Sequence, residues 1–76
     1  MSGAPEFTVE WYSADGHLTG RRAYLTGIEA VNLAEAIVRQ QRRSGVITRI
    51  LIYDGLDKIV YEWTADAGRI LPEVLK

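Results

Sequence analysis

The chain has 76 residues, no cysteine, and a net charge of −1 from nine basic and ten acidic side chains. That length holds one domain and not two, and it excludes disulfides and thiolate metal sites as sources of stability. The near-neutral charge gives no general attraction to nucleic acid or anionic membrane. No apolar run reaches the roughly 20 residues of a membrane span.

An apolar fraction of 47% with 25% charged residues is ordinary for a globular domain. Residues 1–6, Met-Ser-Gly-Ala-Pro-Glu, have neither the basic start nor the apolar core of a signal peptide. They read as a disordered N-terminus or a cloning remnant ahead of a single domain at 7–76, and a cytoplasmic protein is the expectation.

Phe7-Thr8-Val9-Glu10-Trp11-Tyr12 alternates apolar and polar residues, as a half-buried strand does. Phe7, Val9 and Trp11 would face the core, with Thr8, Glu10 and Tyr12 outside. Ser-Ala-Asp-Gly at 13–16 is a hairpin signal because Asp and Gly tolerate positive φ. The return strand is expected over Arg21–Leu25, pairing Val9 with Ala23, Phe7 with Leu25 and Glu10 with Arg22. A bulge at Gly20 would absorb the loop length.

A helix follows over roughly 27–44. Thr26-Gly27-Ile28-Glu29 fits a capping box, and Ala30, Leu33, Ala34, Ile37 and Gln41 recur at helical spacing. Arg39, Arg42 and Arg43 suit the negative end of the helix dipole, and Gly45 suits the position after the last turn.

Val46–Tyr53 is a β-branched run. It divides into Val46, Thr48, Ile50 and Ile52 on one face and Ile47, Arg49, Leu51 and Tyr53 on the other. Asp54-Gly55-Leu56-Asp57 turns the chain into Lys58–Trp63, with Ile59, Tyr61 and Trp63 inward and Lys58, Val60 and Glu62 outward. In the tail, Ile70, Leu71, Val74 and Leu75 fit either a short helix opened by Pro72 or an extended cover over the core. The expected fold is α+β: a four-stranded antiparallel sheet in the order β-β-α-β-β, with one long helix on one face and a C-terminal tail or short helix.

A near-repeat joins the two hairpins: Val-Glu-Trp-Tyr-Ser-Ala-Asp-Gly at 9–16 and Tyr-Glu-Trp-Thr-Ala-Asp-Ala-Gly at 61–68. Each copy places a tryptophan on the apolar register and a glutamate outside. The extra alanine before the second glycine gives the two copies different turns. The pair reads as two strand ends pinned by core tryptophans.

Catalytic and metal signals are thin. His17 is the one histidine, and Asp-Gly-His is what an exposed hairpin loop contains. One histidine without cysteine supplies too few zinc ligands, and turn chemistry accounts for Asp54 and Asp57 without a calcium loop. The seven glycines form no phosphate cradle, so no cofactor is implied.

The informative surface is the outer sheet face, expected to carry Tyr12, Tyr24, Ile47, Leu51, Tyr53 and Val60 beside Arg22, Arg49 and Glu62. Tyrosine and arginine among aliphatics are the usual material of protein interfaces. Tyr12, Arg22, Tyr24, Arg49, Leu51 and Tyr53 are the candidate partner-binding residues. The partner is a protein, with a homodimer as one form, unless the tail covers the face. The alternative is nucleic acid stacking on the tyrosines, aided by Arg39, Arg42, Arg43 and Arg49 at the helix end and by Arg21 and Arg22.

The element order carried by V-E-W-Y-S-A-D-G, T-G-I-E-A-V-N-L-A-E-A-I, I-T-R-I-L-I-Y-D-G and I-V-Y-E-W resembles small bacterial domains and phage or mobile-element inhibitors of the anti-CRISPR kind. The resemblance implies a compact inhibitor that blocks a nucleoprotein effector through its surface. It assigns no functional residue.

Overall fold

The computed structural model describes residues 6–71, with the side chains of 42–44 outside the description. The elements are β1 (Phe7–Ser13), β2 (Leu18–Leu25), α1 (Gly27–Ser44), β3 (Ile47–Tyr53), β4 (Ile59–Thr64) and β5 (Gly68–Leu71). They build one antiparallel sheet in the order β2-β1-β3-β4-β5, with α1 packed over β1, β2 and β3. Strands β2 and β3 both run antiparallel to β1. They are therefore parallel to each other, which is why a helix must carry the chain between them.

The expected four-stranded sheet is corrected to five strands. Residues 68–71 add an edge strand to β4 instead of starting a helix or crossing the face. The turn chemistry explains this. Gly68 takes φ 77°, the Ala67 amide donates to Thr64 Oγ1 at 3.1 Å, and the three intervening residues return the chain antiparallel. Pro72, Val74 and Leu75, the rest of the expected tail, lie outside the described residues.

The helix forms where its signals place it. Thr26 Oγ1 accepts from the Glu29 amide at 3.1 Å, and Glu29 Oε1 accepts from the Thr26 amide at 2.9 Å, closing the capping box. Gly45, at φ 67°, ends it and donates to the Gln41 carbonyl. Buried Gln41 then accepts the Ile47 amide through Oε1 at 2.6 Å, tying the helix end to the start of β3.

The core lies between helix and sheet: Val9, Ile50, Ile52 and Tyr61 under Ala30 and Ala34, with Trp11, Trp63 and Phe7 packed around them. The two alanines are fully buried, so the helix backbone sits close to the sheet. Trp11 stands opposite Gly20, and its indole fills the space a β-carbon at Gly20 would need.

Every strand pairing contains an irregularity; the one beside Gly20 falls where a bulge is expected, and others shift expected positions. Against β1, Thr19 is the extra residue beside Gly20, and Ala23 and Tyr24 together oppose Thr8. Phe7 does pair with Leu25, but Val9 meets Arg22 and Glu10 meets Arg21. Further bulges fall at Thr48, Val60 and Ile70. Since a bulge reverses the side-chain alternation beyond it, Ile47 and Val60 join the helix-side core. Ile59, opposite Tyr53, moves to the outer face.

Candidate functional site: the open sheet face

No described element lies over the second face of the sheet. Across its middle, Arg21, Glu10, Leu51, Glu62 and Leu71 stand opposite one another on β2, β1, β3, β4 and β5. Tyr12 and Tyr53 flank this row, one beside Arg49 and the other beside Ile59.

Four of the six residues expected to bind a partner meet here. Tyr12, Arg49, Leu51 and Tyr53 line one shallow depression of about 330 Å³, together with Thr48 and Ile59. The other two do not join them. Arg22 opposite Val9 turns to the helix side, beside Trp11, Leu33 and Ile37. Tyr24 sits in the bulge at the β2 edge with φ 61° and is 83% exposed, beside Thr8 and Arg21. The shift that removes Arg22 brings in Arg21, which the expected register had placed one residue away. Arg21 and Arg22, expected together to aid nucleic-acid binding, lie on opposite faces.

Ion pairs organise the charges. Arg21 Nε lies 3.4 Å from Glu10 Oε2, and Arg49 Nη2 lies 3.4 Å from Glu62 Oε2. In each pair the carboxylate sits low and the guanidinium stands out, at 18% against 56% and 20% against 49% exposure. Glu10 also accepts the Tyr12 hydroxyl at 2.6 Å. That hydrogen bond, with burial and the negative charge of Glu10, pushes the Tyr12 pKa up to about 12. Leu51, 3% exposed, forms the apolar floor between them. The outermost groups are thus arginine and tyrosine over a leucine.

His17 belongs to a different place. Its Nδ1 is 2.8 Å from Asp15 Oδ2 in the exposed β1–β2 turn, and Ser13 Oγ donates to Asp15 Oδ1 at 2.5 Å. Asp15 stands between the hydroxyl and the imidazole, so the ring is not placed to take the Ser13 proton. The Ser13 hydroxyl, the His17 amide and the His17 ring hold the Asp15 carboxyl below its ordinary 3.8. This is the chemistry of a locked turn. In the β3–β4 turn, Asp54 Oδ1 likewise accepts the Leu56 and Lys58 amides at 2.8 and 3.0 Å.

Among the described residues, no group of three or more His, Cys, Asp or Glu side chains could hold a metal, and no helix is long and apolar enough to cross a membrane. Neither a family model, nor a curated protein, nor a solved structure matches the chain, and the functional reading is built from the open face itself.

Proposed function

We propose that this chain is a small non-enzymatic binding domain whose open sheet face takes a protein partner. The observation that carries the reading is the convergence of Tyr12, Arg49 and Tyr53 around the buried Leu51 on a face with no described element above it. Aromatic and guanidinium groups over an apolar floor are the composition of interface hot spots. The cytoplasmic setting and the inhibitor role expected from the element order belong to the same proposal.

Nucleic acid is the less favoured occupant. Both arginines of the face are already paired with carboxylates, and a phosphate would have to compete with Glu10 and Glu62 for them.

A photo-crosslinking side chain placed at Tyr53, with a control at exposed Asn32 on the helix, tests the proposal in cells that make the protein. Protein adducts from position 53 and none from position 32 are expected. Equal yields at both positions, or a nucleic-acid adduct from position 53 lost at high salt, would overturn it.

A further inference from the structure

We propose that the occupant of the open face is a second copy of this chain, packed face to face about a two-fold axis that runs along the strands between β1 and β3. This rests on the reading of that face as a protein-binding surface and goes beyond it by naming the partner.

The charge order on the face selects both partner and axis. Taking one charge from each strand from β2 to β4, the signs run plus, minus, plus, minus: Arg21, Glu10, Arg49, Glu62, where Arg49 stands opposite Tyr12 and reaches the row through its guanidinium beside Glu62. A two-fold axis along the strands between β1 and β3 exchanges β1 with β3 and β2 with β4. The Arg21–Glu10 pair of one copy then lies antiparallel over the Arg49–Glu62 pair of its partner, each guanidinium against a carboxylate. An axis across the strands would set each strand on its own copy and put like charge on like. The pattern is therefore complementary to itself in one of these orientations, as an isologous interface requires.

The size fits as well. The molecule is a slab with extents of 39 × 31 × 18 Å. The rectangle of its broad side is an upper bound on the contact area, and it leaves room for the ~800 Å² that each partner buries in a standard interface. The central residues of that face are Leu51, Tyr12 and Tyr53.

The sheet edges offer a poorer route to self-association. β2 is interrupted at Thr19 and again at Ala23–Tyr24, leaving Gly20–Arg22 in unbroken register. β5 has four residues and a bulge at Ile70. Bulged or short edges resist continuation by a further strand.

Light scattering on the full chain is expected to give twice the 8.5 kDa monomer mass. Arg49→Glu places like charges together twice per dimer, and self-association should weaken at least tenfold, on the order set by like-charge contacts. The deciding variant exchanges all four charges: R21E, E10R, R49E and E62R together. This keeps every pair within and between copies, so the variant should dimerise with itself and exclude isotope-labelled wild type in native mass spectrometry. Free mixing with wild type would overturn the proposal, as would a wild-type monomer. A monomer that still crosslinks another protein from position 53 overturns the dimer alone, and a monomer giving no adduct there overturns the protein-binding reading too.

Discussion

On one side of β3, Ile50 and Ile52 are sealed beneath Ala30 and Ala34 of the helix. On the other side of the same strand, Leu51 is 3% exposed on the face that no described element covers. The helix side is buried by a second layer, so its residues are apolar and close-packed. On the open side Tyr12, Arg49 and Tyr53 line a depression with Leu51, and the Arg21–Glu10 and Arg49–Glu62 pairs lie on the same face. Aliphatic stems of long polar side chains can cover apolar surface while their heads stay in water. Near-complete burial thus occurs in two different settings, which should respond differently to substitution.

The largest contrast is between Ile50→Ala and Leu51→Ala. Beneath the helix, rigid neighbours on both sides keep the cavity open, and Ile50→Ala should cost about 2–5 kcal/mol. Flexible Arg49 and Tyr53 can settle into the space left by Leu51→Ala, so its cost should fall at or below the low end of that range. Urea unfolding of the two variants checks the order. An equal or larger loss for Leu51→Ala would make the open face a second core layer.

Gly20→Ala probes the border of the covered side. A β-carbon there would overlap the Trp11 indole, which would have to leave its place over β2. Overpacking of this kind costs about 1–3 kcal/mol. Because Trp11 faces the helix, its fluorescence should change while the Arg49–Glu62 side of the sheet keeps its structure. An unchanged melting temperature would show that the indole moves aside at no cost.

These contrasts follow from features that the sequence disclosed unevenly. The helix was legible from end to end because Thr26, Glu29 and Gly45 mark its limits by local chemistry. Four of the five strands were legible as elements, since alternation in Phe7–Tyr12 and in Lys58–Trp63 needs no partner to be seen. Face assignments failed wherever an extra residue intervened. Arg22, Ile47, Ile59 and Val60 were all placed by strict alternation, and each lies beside a bulge that reverses it. A bulge depends on pairing with another strand and leaves little trace in its own sequence.

The fifth strand was missed for another reason. Thr-Ala-Asp-Ala-Gly lacks the adjacent Asp-Gly that marks the first turn, and Ile70 and Leu71 fit a helical spacing with Val74 and Leu75. Of the candidate site, Tyr12, Arg49, Leu51 and Tyr53 were placed together by alternation along intact stretches of β1 and β3. Arg21 was lost to a shift of one residue.

The smallest expected effect isolates the polar groups of the open face without touching the core. Tyr12 titrates near 12 because its hydroxyl donates to the Glu10 carboxylate and would otherwise become a second negative charge beside it. Glu10→Gln removes that charge and leaves a neutral acceptor, so the Tyr12 pKa should fall toward its ordinary value of 10.0. The sign for stability follows. A tyrosine whose folded pKa is raised contributes stability that is complete below pH 10 and lost as pH rises through about 12. Wild type should therefore lose more stability than Glu10→Gln across that alkaline window, while near neutral pH the variant loses the Arg21 pairing and exchanges the charge-assisted Tyr12 hydrogen bond for a weaker neutral one. Burial also pushes the Tyr61 hydroxyl up, so tyrosinate absorbance with Tyr24, Tyr53 and Tyr61 all replaced by Phe reads the Tyr12 step. If that step stays near 12 in Glu10→Gln, burial alone holds the proton, without the charge of Glu10.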